Sequence, residues 1–332
     1  MLVKAAQEPK ALLESYRVQF EDALKAFNDN QKDHPLYEPI KYILSLGGKR
    51  LRPTLVLAAC DGLGGDVKAA IPVAMAVEVF HNFTLMHDDI MDDAPLRRGK
   101  PTVHEKWDDN TAILSGDAML VQCYDLLAEV APSKLPELMR IFNKTALEVC
   151  EGQQHDMDFE TRDDVEIEEY MEMIRLKTSV LLAGAMEMGA IVAGADQATR
   201  DSIYRFGIDT GLAFQLQDDY LDAFGDPISF GKQVGGDILA DKKTFLRIRT
   251  KENATSEQLA VLENWKGSTD QPEAKVEAIK ALFQDTRAAS DLREELKKHH
   301  DQAVSSLTDL PLSEEVSALF SFIAEMVTIR TV

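Results

Sequence analysis

Cysteine is scarce in this sequence, and the three present, Cys60, Cys123 and Cys150, stand far apart, in odd number and without metal-ligand spacing. This argues against a disulfide scaffold and a cysteine-based zinc site, and it suits reduced thiols in a cytoplasmic protein. Positive charge is also short: 36 Lys and Arg against 57 Asp and Glu leave a net charge of −21. So acidic a chain repels a phosphate backbone, which counts against nucleic acid and anionic membrane surfaces as partners. The first ten residues hold Glu8 and Pro9 and lack the apolar run of a secretory signal. The most apolar stretch, Ser179 to Ala195, is broken by Glu187 and falls short of the roughly 20 residues that span a bilayer, so a buried helix is expected there and stable membrane insertion is not. Pro-rich and Ser/Gly-rich linkers are missing, as are alternating strand patterns closed by Asn-Gly or Asp-Gly turns.

What remains is helical. Apolar residues, 45% of the chain, recur mostly at helical spacing between widely separated Gly and Pro punctuation. Helices are expected over Leu12–Phe27, Pro39–Leu46, Arg52–Cys60, Val67–Asp92, Ile113–Val130, Lys134–Asp158, Val165–Ala193 and Ala198–Phe224, with Gly47-Gly48 stopping the second. From Ala254 onward the sequence is more charged, its helices are shorter, and Gly267-Ser268-Thr269-Asp270 reads as a surface turn. The prediction is an all-α chain forming one domain over residues 1–332, a bundle of long helices around a central cleft.

One short pattern occurs twice: Asp88-Asp89-Ile90-Met91-Asp92 and Asp218-Asp219-Tyr220-Leu221-Asp222. Residues four apart share a helix face, so Asp88 pairs with Asp92 and Asp218 with Asp222. Such pairs repel, and alone each would read as a solvated acidic face. Each instead ends a strongly apolar helical run, Ile71–His87 and Ile203–Leu216. Carboxylates with open positions select hard cations such as Mg²⁺, which bridge protein oxygens to phosphates. The scarce cations gather nearby, in Gly47-Gly48-Lys49-Arg50-Leu51-Arg52-Pro53 and in Arg97-Arg98-Gly99-Lys100-Pro101. Arg grips phosphate with two parallel bonds and Lys as a point charge.

These blocks, with His87 to His104, Phe214 to Pro227, Lys177-Thr178, Gly231-Lys232 and Lys242-Lys243-Thr244, resemble in order the trans-isoprenyl diphosphate synthases, the farnesyl and geranylgeranyl diphosphate synthase group. The resemblance implies the isoprenoid synthase type I fold and a head-to-tail 1'-4 condensation of isopentenyl diphosphate with dimethylallyl, geranyl or farnesyl diphosphate, releasing diphosphate. It implies three Mg²⁺ ions bridging the allylic diphosphate through Asp88, Asp92 and Asp218, with Asp89, Asp219 and Asp222 in the same motifs. Arg97, Lys177, Lys232 and Lys242 would neutralise that diphosphate, and Lys49, Arg52, His81 and Arg98 would hold isopentenyl diphosphate without metal. Thr178, Gln215 and the main-chain carbonyl of Lys177 would face the carbocation. His81 lies two helical turns before Asp88, whereas His104 and His155 have no such support; Gln153 and Asp156 receive no role, and Met75, Met86, Met119 and Met157 read as core filling.

Product length is expected to depend on Phe83, about 7.5 Å before Asp88 along the helix, with Phe80 and Thr84 beside it. An ideal wheel places Phe80 and Thr84 nearer the Asp88 face; the family pattern favours Phe83 and a twenty-carbon product slightly over fifteen. The alternatives are a longer-chain polyprenyl synthase and a class I terpene cyclase, the latter having no use for Lys49, Arg52 and Arg98. The family also implies a homodimer.

Overall fold

The computed structural model describes residues 7–225, 234–308 and 310–328. Nearly all of them are helical. They fall into two compact units, one drawn from Met1–Thr145, Leu181–Tyr204 and Asp309–Phe320, the other from Ala146–Val180, Arg205–Thr308 and Ser321–Val332.

In the first unit, α1 (Gln7–Asp29), α2 (Glu38–Ser45) and α3 (Leu51–Gly62) precede α4 (Val67–Met91) and, after a short α5 (Val103–Lys106), α6 (Asp109–Leu127). Local chemistry sets their ends. Asp66 caps α4 by accepting from the Lys68 N–H at 3.0 Å, and Asp108 caps α6 by accepting from Thr111 N–H at 2.8 Å. Helix α4 is mostly apolar, and its long run of buried residues lies in the core of this unit. Between α4 and α5 lies a departure from the strand-free expectation: Leu96–Arg97 pairs antiparallel with Lys100–Pro101. The turn residues Arg98 and Gly99 both have positive φ, 53° and 73°, as a tight two-residue hairpin turn requires.

The remaining helices are α7 (Leu135–Thr161), α8 (Ile167–Ile174), α9 (Val180–Ala193), α10 (Gln197–Phe224), α11 (Gly236–Leu239), α12 (Phe245–Asn253), α13 (Ser256–Trp265), α14 (Pro272–Asp285), α15 (Ala288–Ser306) and α16 (Glu314–Thr328). The second unit's core joins Phe159, Tyr170, Leu216, Phe245, Ile279 and Leu292. The single helix expected over Val165–Ala193 is interrupted: between α8 and α9, Arg175–Ser179 form a π turn. Among the described residues two helical stretches, Val67–Met91 and Ile167–Ala193 (the latter running through the π turn), are long and apolar enough to cross a bilayer, yet their most hydrophobic windows are 67% and 78% buried against protein, as core helices are. Met75, Met86 and Met119 are buried as expected, but Met157 is 41% exposed and fills no core. Cys60 and Cys123 are buried and Cys150 is exposed, and no disulfide joins them.

Candidate active site

In the first unit the metal-type motif forms the last turn of α4, where Asp92 caps the helix and donates its N–H to the Asp88 carbonyl at 2.8 Å. Two carboxylates there meet each other and the negative end of the helix dipole, a double cost that a cation removes. Asp88 is half-buried and Asp92 exposed. Asp89 points elsewhere. It is 1% exposed, and both its oxygens accept from the Arg97 guanidinium, at 2.5 to 2.9 Å. Arg97 thereby ties the hairpin to α4, and Asp89 is turned to that pairing while Asp88 and Asp92 stay toward solvent.

The glycine-rich loop divides its three basic residues. Arg50 turns inward at positive φ and is 4% exposed; it donates to Glu78 at 2.5 Å, to Glu21 at 3.1 Å and to the Leu44 carbonyl at 2.7 Å, making it the anchor of the loop. Lys49 is exposed on one side of it. On the other, Arg52 approaches His81 Nε2 at 3.3 Å, leaving its Nε buried without a protein partner. The Arg98 guanidinium donates to the Gly47 carbonyl and lies over Gly48, where a Cβ would come within 3.1 Å of it at a φ of +140°. The two glycines therefore let an arginine cross the loop. Burial first, and then the charges of Arg52, Arg98, Arg97 and Arg50, hold the His81 imidazole well below its ordinary pKa of 6.5. His81 is thus neutral beside Arg52, and Arg52, His81 and Arg98 form one cationic neighbourhood fit for an anion, with Lys49 exposed on the same loop.

Behind this motif, Phe80 is 1% exposed and packs on Phe142 and Phe83 with ring centroids 5.3 and 5.6 Å apart. Phe83 is only half-buried and stacks edge-on against His87 at 4.7 Å. The Thr84 hydroxyl is spent on the His81 carbonyl at 2.8 Å.

In the second unit the repeated motif occupies the last two turns of α10, again at a helix C-terminus. Asp218 and Asp222 are half-buried, and Asp222 accepts from the Asp237 N–H at 3.0 Å. Asp219 is 4% exposed; one oxygen accepts from the Tyr170 hydroxyl and the other from Gln215 Nε2 at 3.3 Å. Burial, followed by the charge of Asp237, pushes its carboxyl up to about 7. Gln215 in turn accepts from Thr178 Oγ1 at 3.3 Å, so Thr178, Gln215 and Asp219 form one chain of hydrogen bonds.

The π turn presents Lys177 and Thr178. Its backbone is gripped closely: a Cβ at Gly152 would meet Lys177 N at 2.3 Å, and one at Gly211 would meet Ser179 Cα at 2.6 Å. Only residues without side chains let α7 and α10 approach the turn so tightly. Lys177 Nζ donates to Asp156 at 2.6 Å. Asp156 and Tyr170, neither given a role from sequence, are thus the partners of two expected site residues; no local pattern announces pairings 21 and 49 residues apart. Lys242 is exposed and lines a small cleft with Asp219, Asp222 and Asp237. Lys232 lies outside the described residues.

The donor set fits hard divalent cations: Asp88 and Asp92 in one unit, and Asp218 and Asp222 in the other, offer oxygens at dipole-negative helix ends beside cationic side chains suited to diphosphate. Comparison with known proteins agrees. Residues 33–284 match the family model described as polyprenyl synthetase. A geranylgeranyl diphosphate synthase of Methanosarcina mazei is 39% identical over 246 residues, 74% of this chain and 75% of its own. That of Sulfolobus acidocaldarius is 35% identical over 94% of this chain and 97% of its own. Among solved structures, a geranylgeranyl pyrophosphate synthetase from Pyrococcus horikoshii Ot3 superposes with a TM-score of 0.91 at 32% identity, over 99% of this chain and 100% of that one. The chain therefore belongs to the polyprenyl synthetase family, and is an all-α trans-prenyltransferase of the geranylgeranyl diphosphate synthase type.

Proposed function

We propose that the chain uses Mg²⁺ to join isopentenyl diphosphate to an allylic diphosphate, with geranylgeranyl diphosphate as its main product. The observation that carries this reading is the pair of aspartate motifs, each ending a helix at its electronegative end, together with the cluster of Arg52, His81 and Arg98. In the reaction an allylic carbon–oxygen bond breaks, a carbon–carbon bond forms from C1' to C4, and one proton is lost. Mg²⁺ held by Asp88, Asp92, Asp218 and Asp222 would neutralise charge developing on the departing diphosphate.

The chain's own groups do the rest. Arg97, fixed by Asp89, and Lys177, fixed by Asp156, present cations in set positions, which lowers the reorganisation needed as charge develops. The hydrogen-bonded Thr178 and Gln215 offer oxygen dipoles, enough to stabilise a carbocation without capturing it. Neutral His81 beside Arg52 leaves the isopentenyl diphosphate site net cationic, so that substrate is held and keeps its diphosphate.

The names of relatives support twenty carbons. The number of ions, three, and a homodimer acting in the cytoplasm complete the proposal. The test is direct: protein, Mg²⁺, isopentenyl diphosphate and each allylic diphosphate are incubated, and products are dephosphorylated and chromatographed. Twenty-carbon alcohol, lost on chelation, is expected; chains of thirty carbons or more, or cyclised hydrocarbons, would overturn the assignment of product.

A further inference from the structure

Asp93, His104 and Glu105 take no part in the groups described above, yet one ligand atom from each lies within 4.8 Å of the others. Two exposed carboxylates near each other would mean little alone. His104 is the independent sign. It is only 9% exposed, and among the described residues neither Nδ1 nor Nε2 has a hydrogen-bond partner. Glu105 Oε1 stands 3.9 Å from its Nε2, too far for a hydrogen bond. Burying an imidazole with both nitrogens unsatisfied is unfavourable, and a ligand bound to one of them removes part of that cost.

The geometry points to a second metal site, built from His104 with Asp93 and Glu105 and selective for a borderline divalent cation, Zn²⁺ foremost. One imidazole nitrogen with two carboxylate oxygens suits Zn²⁺, whereas Mg²⁺ prefers an all-oxygen shell, so this site and the aspartate motifs discriminate by donor type. Donors bound to tetrahedral Zn²⁺ at about 2.0–2.2 Å stand roughly 3.3–3.6 Å apart. Asp93 and Glu105 are exposed, and their side chains can rotate the remaining distance.

The position gives the site a purpose. Asp93 follows the C-cap of α4 directly, and His104 and Glu105 belong to α5; the hairpin bearing Arg97 and Arg98 lies between them. An ion there closes that segment at its base, holding Arg97 against Asp89 and Arg98 over the glycine loop.

The test uses the full chain. Zn²⁺ is titrated calorimetrically in saturating Mg²⁺, and the protein loaded with one equivalent of Cu²⁺ is studied by pulsed electron paramagnetic resonance. Expected are one Zn²⁺ site per chain, weakened at least roughly tenfold in Glu105→Gln or Asp93→Asn, and a directly coordinated ¹⁴N signal that disappears in His104→Gln. The carboxylate motifs supply no nitrogen, so they cannot mimic that signal. Because Asp93 and Glu105 are exposed, their variants test the site even if His104→Gln fails to fold, which circular dichroism reports. Unchanged Zn²⁺ affinity in both carboxylate variants, or nitrogen coupling that persists in folded His104→Gln, overturns the proposal.

Discussion

The same five-residue pattern is built into two different electrostatic settings. At the end of α4 the middle aspartate, Asp89, is buried against a cation, the two-pronged guanidinium of Arg97. At the end of α10 the middle aspartate, Asp219, is buried against neutral donors, Tyr170 and Gln215, and its carboxyl rises to about 7. The outer aspartates are alike in both, one turn apart at a helix C-terminus. The motif is thus two things at once: a pair of outer carboxylates poised for cations, and an inner one that fastens the helix end to whatever packs there. What packs there differs, so one inner carboxylate serves to place Arg97 and the other joins a hydrogen-bonded chain to Thr178.

If the outer aspartates are equivalent, Asp88→Ala and Asp218→Ala will each cut turnover by at least about 10²–10³-fold, the scale of losing one preorganised electrostatic partner, while far-ultraviolet circular dichroism stays unchanged. Near-normal turnover in either variant breaks the equivalence.

The inner aspartates should respond unequally to loss of their partners. Arg97→Ala strands a buried carboxylate and is expected to cost about 3 kcal/mol of stability, toward the lower end for a buried ion pair because Arg97 is partly exposed. Tyr170→Phe removes one neutral donor from a carboxyl that can take a proton, and should cost about 1–2 kcal/mol. Urea unfolding of the two variants measures both; equal costs would erase the contrast drawn here.

A third test concerns the aromatic rings behind the α4 motif, Phe80 and Phe83. Phe83→Ala should lengthen the products by one or more five-carbon units, and should cost less stability than the roughly 3–5 kcal/mol of a fully buried Phe, because Phe83 is half-buried. Phe80→Ala should show the reverse, a large loss of stability, since that ring is core. An unchanged product distribution from Phe83→Ala would leave it as packing alone.

The smallest effect is a pH dependence. His81 has a folded pKa below its unfolded value of 6.5, so the unfolded chain binds the proton more readily. Its contribution is complete above pH 6.5 and is lost as pH falls from there toward the folded pKa. His81→Gln, which cannot take a proton, should flatten the stability profile in that acidic window. A profile that keeps its slope would place the titration elsewhere.

Much of this was legible in the sequence because it is local. Helical spacing placed α4, α7 and α10 to within a few residues, for burying a continuous apolar face needs no partner to be named. The outer aspartates could be paired from helix periodicity, and the cationic blocks follow in the chain itself. The contribution of a loop arginine was less readable: Lys49, Arg50 and Arg52 look alike in a string, and only packing turned Arg50 inward to Glu78 and left Lys49 exposed.

What the sequence by itself determined is the helices, their ends and which residue types could meet phosphate and metal, because periodicity, capping and charge act over a few residues. The tertiary structure alone decided the π turn at Lys177-Thr178, the hairpin at Arg98-Gly99 seen as such, and the partners of Asp89, Asp219 and Lys177. The physical reason is that a buried charge takes whichever donor the packed helices bring within about 3 Å. That choice is made between residues as far as 49 positions apart, where no local pattern reaches.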